Sequence, residues 1–211
     1  MKYLYKIINT VYENRYKLIM KFRQIFRNYC SSFCQYKYNN KLEALINKQI
    51  QLEEQAAKDY LAMAVYFRHP SVSRPGTGGF FMNMYEEEIG HMLTFVNYQL
   101  LRGGRVEVMA IKQPPKFTTM SMCEAFEKGL NMEKEITKML DEVVQLAEQV
   151  KDYQCADYVT SVFLTEQMKS INEFSNLLTK ISRLKDEHAQ YQYDLHLLTS
   201  HPYNSNIKLQ I

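Results

Sequence analysis

The sequence predicts an all-α protein: a four-helix bundle with a long crossover between helices two and three and a short C-terminal fifth helix. Three observations carry that reading. Glycine and proline together supply only 12 of 211 residues, so long stretches run without a breaker. Four long segments repeat apolar residues at three- and four-residue steps, the pattern of a helix with one buried face. The segment between the second and third of them, residues 105–120, is too long for a turn and suits a crossover along a bundle.

Each element follows in order. Residues 40–67 read as one helix on Ile46, Ile50, Ala57, Tyr60, Ala64 and Phe67. His69-Pro70 through Pro75-Gly76-Thr77-Gly78-Gly79 reads as a break. The second helix is expected from near Phe80 to Leu101, on Phe81, Met84, Phe95 and Tyr98, and Gly103-Gly104 ends it. The crossover has extended character at Val106 and Val108 and carries Pro114-Pro115. A third helix spans about 121–150 on Phe126, Leu130, Leu140, Val144 and Ala147. A fourth spans about 153–184 on Val159, Phe163, Phe174, Leu178 and Ile181. Such helices are roughly 40 Å long. A short amphipathic stretch, 188–199, follows a turn without glycine, Leu184 to His188, and precedes a polar tail at 201–211.

The net charge of +3 is unevenly spread. Residues 1–40 hold eight Lys or Arg against the single acid Glu13, which leaves 18 basic against 22 acidic residues beyond them. The basic balance therefore argues nothing for nucleic acid and marks residues 1–39 as a separate segment ahead of a unit at 40–200. Leu4, Ile7, Ile8, Val11, Leu18, Phe22, Ile25 and Phe26 recur at helical spacing, with Lys2, Lys6 and Lys17 opposite. A basic, acid-poor amphipathic start suits a mitochondrial targeting peptide, and Arg27-Asn28-Tyr29 before Cys30-Ser31-Ser32 resembles a matrix-protease site. The competing reading is an extension without a role. Cys30, Cys34, Cys123 and Cys155 show neither zinc-type pairing nor a disulfide framework, which fits a reducing compartment. No apolar run approaches the ~18 residues of a membrane span.

Function shows where the apolar seams are interrupted. Glu53 interrupts the first helix, Glu88 and His91 the second, Glu133 the third, Gln167 and Ser170 the fourth. One polar residue in a seam is usually a register device or a solvated edge. Interruptions on all four helices, including three carboxylates and one imidazole, are better explained by a shared ion, since a lone buried carboxylate costs several kcal/mol. Glu88 and His91 stand three apart, so both side chains reach one ion. A Glu from each of two helices with Glu-x-x-His from the others builds a di-iron site, and here the fourth helix offers Gln167-x-x-Ser170 instead. Hard oxygen donors with one imidazole suit iron or manganese.

Ile46-Asn47-Lys48-Gln49 through Leu52-Glu53 to Tyr60-Leu61, Leu101-Arg102-Gly103-Gly104-Arg105-Val106, and Leu164-Thr165-Glu166-Gln167-Met168-Lys169 together resemble animal ferritins of the heavy-chain type, over about residues 42–184. The resemblance implies a ferritin-like bundle acting as a ferroxidase, with Fe(II) and O2 as substrates and iron its metal. Glu53, Glu88 and His91 would bind the first iron. Glu88 would bridge to a second, completed by Glu133 with Gln167 and Glu87, and Tyr60 would hydrogen-bond at the site. Asp157 matches the acid of the family's three-fold channel. The resemblance further implies a hollow cage of 24 subunits, alone or mixed with other ferritin chains, holding hydrated ferric oxide. It implies no nucleic-acid or membrane partner, and the cytoplasm as the family's usual compartment. Gly90 and Leu93 stand where cavity glutamates are usual, and Thr160 where a second channel carboxylate is. The alternative is a structural subunit that oxidises nothing and assembles with active chains. A DNA-protecting mini-ferritin places its iron between subunits, and a di-iron oxygenase shows both Glu-x-x-His motifs; both fit less well.

Overall fold

The computed structural model describes residues 36–202, with Glu13 and residues 15–21 of the N-terminal segment. Residues 15–21 are helical and exposed. The remaining calls on residues 1–35, including the proposed cleavage site, lie outside the described residues, as does the tail from 203.

Helix α1 runs Asn40–Arg68. Asn39 caps it, accepting from the Lys41 amide at 2.8 Å, with Glu43 in the first turn and Arg68 in the last, both matched to the helix dipole. It stops at His69, whose extended backbone is what a residue before Pro70 adopts.

Helix α2 runs Pro75–Leu101, so its start near Phe80 needs correction. The Pro-Gly-Thr-Gly-Gly stretch is its first turn and more, not a break. Pro75 stands at the head of the helix, where its missing N–H costs nothing. The glycines serve close approach: a Cβ on Gly76 would lie 1.9 Å from the Asp194 carbonyl oxygen, and one on Gly78 2.3 Å from Arg68 Cγ. At the other end Gly103, with φ 71°, closes α2, and the Gly104 amide donates to the Gln99 carbonyl at 2.9 Å.

The crossover is read by an amide ladder on α1. Asn47 donates to the Arg105 carbonyl at 2.9 Å and accepts from the Glu107 amide at 3.0 Å. Gln51 donates to Ala110 at 2.6 Å, and Gln55 accepts from the Lys112 amide at 2.6 Å. Tyr66 takes the Met120 amide at 2.9 Å. Four-residue steps from Asn47 to Gln55 thus track the first half of the loop, and Tyr66 holds its far end. It returns the chain to the end where α2 began, so α2 and α3 are parallel.

Helix α3 runs Met122–Gln149 behind a complete capping box between Ser121 and Glu124. The fourth helix, α4, is one rod in three parts: Tyr153–Tyr158, a π turn at Val159–Leu164, and Thr165–Ile181. It ends earlier than 184, and the π turn departs from the plain helix expected. Helix α5, Glu187–Ser200, is present. The turn before it needs no glycine, because no residue there has positive φ among the described residues.

Tyr60, Phe67, Phe80, Phe81, Phe126 and Phe174 form one aromatic core at the α2-start end. Gly129 makes room for it, since a Cβ there would meet Phe174 at 2.3 Å. The opposite end is clamped by Arg102, which pairs with Asp152 at 2.7 and 3.1 Å beneath the Tyr38 ring. The carboxylates lie between these two ends.

Candidate metal centre

Every helix of the bundle delivers at least one polar group inward, and the burial is deep: Glu53, Glu88, Glu133, Gln167 and Tyr60 are all at most 3% exposed. Ligand atoms of Glu53, Glu88 and His91 lie within 4.8 Å of one another, and so do those of Glu87, His91 and Glu166. Across the bundle, Tyr60 donates to one Glu133 oxygen and Gln167 to the other. Gln167 also donates to the Glu133 carbonyl at 3.1 Å. The eight expected site residues therefore divide. Seven converge in the bundle, Glu87 at its half-buried margin, whereas Asp157 stands apart and exposed on α4 ahead of the π turn.

Two contributors were not foreseen. Gln49, one turn before Glu53, donates to its Oε1 at 2.6 Å. Glu166 receives the second ring nitrogen of His91 at 3.2 Å, while Glu88 meets the first at 3.1 Å. Gln49 carried a signal, being a further polar residue on the same seam. Glu166 carried none, since it is half-exposed and about 100° off the seam of Gln167. Ser170 is half-buried.

The electrostatics are those of carboxyl groups crowded together away from water. Burial holds the Glu53 carboxyl well above its ordinary 4.5, and the adjacent Glu88 charge raises it further. Glu88 is likewise raised, by burial first and then by Glu133. Burial raises Glu133, though the hydrogen bonds from Tyr60 and Gln167 hold it back. Burial also raises Glu87, against the pull of His91. The Tyr60 phenol is pushed up by burial and by Glu133, so it stays a donor.

The donor set fits a hard divalent ion. Glu53 Oε2 and Gln49 Oε1 are buried with no hydrogen-bond partner among the described residues, and a buried carboxylate oxygen left bare is costly unless a cation takes it. A neutral imidazole has one N–H, so His91 can satisfy one flanking carboxylate and offer its other nitrogen to a metal. Oxygen donors and one imidazole, with no thiolate among them, suit iron.

A four-helix bundle with one long crossover and a buried carboxylate–imidazole cluster is the architecture of the di-metal carboxylate proteins. Comparison with known proteins agrees. The ferritin-like domain family matches residues 43–184. The chain is 32% identical over 163 residues to the ferritin-1 heavy chain of Schistosoma mansoni, covering 77% of this chain and 94% of that one. It is 36% identical over 163 residues to the soma ferritin of Lymnaea stagnalis, with the same coverage of 77% and 94%. It is 33% identical over 171 residues to a chloroplastic ferritin of Malus baccata var. xiaojinensis, covering 79% and 68%. The chain belongs to the ferritin family, whose members store iron in multi-subunit cages.

Proposed function

We propose that this chain is an oxidising ferritin subunit that takes up Fe(II), oxidises it with O2 and stores the product as ferric mineral inside a 24-subunit cage. The observation that carries the reading is the buried cluster of Glu53, Glu88 and His91, whose ligand atoms lie within 4.8 Å of one another and in which one Glu53 oxygen is bare among the described residues. Fe(II) is substrate here, and each of two ions gives one electron to O2.

Glu53, Glu88 and His91 would hold one ion. Glu133, Gln167 and Glu87 would hold the other, with Glu88 shared between them. Tyr60 would fix the rotamer of Glu133. The raised carboxyls keep protons that an arriving cation displaces, so loading lowers the repulsion among Glu53, Glu88 and Glu133. The carboxylates also favour the more highly charged ferric product, which assists oxidation. Gln167 and Ser170 are weaker donors than a Glu and a His, so the second ion is held loosely and the product can leave.

Mineral nucleation would be weak, because Gly90 is exposed with open space around it and Leu93 is 49% exposed. Residues 40–200 would form the ferritin unit. Residues 1–39 would be an extension or a targeting peptide, giving a cytoplasmic or a mitochondrial matrix protein respectively. No helix among the described residues is long and apolar enough to cross a membrane. Electron microscopy of the purified chain after aerobic Fe(II) loading tests cage and mineral together. Hollow shells with dense cores are expected, and small oligomers without cores would overturn the storage reading.

A further inference from the structure

Side-chain amides follow one another on α1 at Asn47, Gln49, Gln51 and Gln55, and one of them faces away from the rest. Asn47, Gln51 and Gln55 hold the crossover. Gln49 lies two residues off that row, about 200° around the helix, and is fully buried in the bundle. Its Nε2 donates to Glu53 Oε1, one turn on, at 2.6 Å. The same spacing recurs at Gln55 and Asp59, where the bond is 3.2 Å long and partly exposed, so water competes for it. No such competition reaches Gln49, because Glu53 is buried as well.

An apolar side chain would fill this core position at less cost. Gln49 Oε1 is buried with no hydrogen-bond partner among the described residues, a penalty that a methionine of similar size does not carry. The amide also has one workable orientation beside a charged carboxylate. Turned over, it would set two acceptors 2.6 Å apart, and they would repel. Neutral donors treat Glu133 differently: Tyr60 binds one of its oxygens and Gln167 the other. Glu53 has one oxygen held and one left. A carboxylate with both oxygens free can rotate, or clamp an ion with both of them.

We propose that Gln49 is a positioning residue that makes Glu53 a one-oxygen ligand for a hard divalent cation. The proposal rests on the metal-binding reading of the centre. With Oε1 tied to the Gln49 amide, Glu53 keeps one rotamer and presents Oε2 alone. Attachment through one oxygen uses one coordination position, where a chelating carboxylate uses two. A further position on the ion is thereby left for another ligand. The amide acts as donors to metal-binding carboxylates generally do, orienting the group and setting how strongly it binds. Gln49 itself touches no ion in this scheme and acts through Glu53.

The test is titration of the full chain with Co(II) under nitrogen, read by the visible absorption of the bound ion, which weakens as coordination number rises. Gln49→Met keeps the volume and removes the N–H. It should lower Co(II) affinity by about 10-fold and weaken the band per bound ion. Its metal-free thermal midpoint should equal or exceed that of wild type, because an unpaired buried amide has gone. Gln49→Leu removes the same N–H with a different shape and should do likewise. In a Glu53→Ala background, Gln49→Met should alter neither affinity nor band, since the two residues act as one unit. Unchanged Co(II) binding in both single variants, or an equal effect without Glu53, overturns the positioning role alone. So does a lowered metal-free midpoint with the Co(II) band intact, which is what a merely structural glutamine predicts. A wild-type chain with no Co(II) band, or one that survives Glu88→Ala and His91→Ala, overturns the metal-binding reading and this role with it.

Discussion

At the scale of single residues, the centre crowds together carboxyl groups whose charged forms repel one another. Glu53, Glu88 and Glu133 all sit above the ordinary carboxyl value of 4.5 because burial strips water from their charged forms. As pH rises past that value the unfolded chain loses these protons first. Folding therefore takes protons up, and metal-free stability falls as pH climbs through the raised values. Glu88→Gln imitates the protonated form. Its metal-free thermal midpoint should match wild type at about pH 4 and exceed it increasingly toward about pH 8. Calorimetry across pH checks this, and a wild type that is the more stable of the two at high pH would contradict it. Zn(II), a divalent ion that does not turn over, should raise the wild-type midpoint and release protons, and should do less of both in Glu88→Gln. The main candidate ligands were legible because each breaks an apolar seam. Glu166 was not, since a half-exposed acid on a helix flank resembles any solvated one until the fold sets it against His91.

At the scale of elements, α5 does more than end the chain. Arg74 gives α2 no side-chain cap, and Asp194 supplies it from α5, accepting from the amides of Gly76 at 3.1 Å and Thr77 at 2.7 Å and from the Thr77 hydroxyl at 2.7 Å. Asp194→Ala leaves these buried donors bare and should cost about 2–4 kcal/mol, read as a lowered unfolding midpoint. Gly76→Ala drives a Cβ into the α5 backbone and should expose the turn at 182–186 to protease. Variants as stable and protease-resistant as wild type would show that α5 docks by other contacts. The four seams and the crossover were legible from periodicity and loop length. The start of α2 was not, because glycines selected for close approach read locally as breakers. Nor was the π turn, because Val159, Phe163 and Gln167 keep four-residue steps straight through it.

At the scale of the molecule, the channel reading rests on Asp157 and Thr160 and the targeting reading on residues 1–39, none of them part of the proposed centre. Asp157 and Thr160 are both exposed at the start of the π turn, so a three-fold channel built there would carry one acid per subunit. Thr160→Glu should speed iron uptake at low salt and less so at high salt, as screening shortens the reach of the added charge. An unchanged rate at both would place the iron path elsewhere. Residues 1–40 fused to a fluorescent reporter should carry it to mitochondria if they address the chain, and a diffuse signal would leave them an extension. The central claim is tested most directly by stopped-flow mixing of the purified chain with about two Fe(II) per subunit in air. Wild type should show a fast oxidation phase, and Glu88→Ala and His91→Ala should each slow it by at least about 100-fold while assembly and helicity persist. Wild-type rates in both variants would contradict the assignment of the centre.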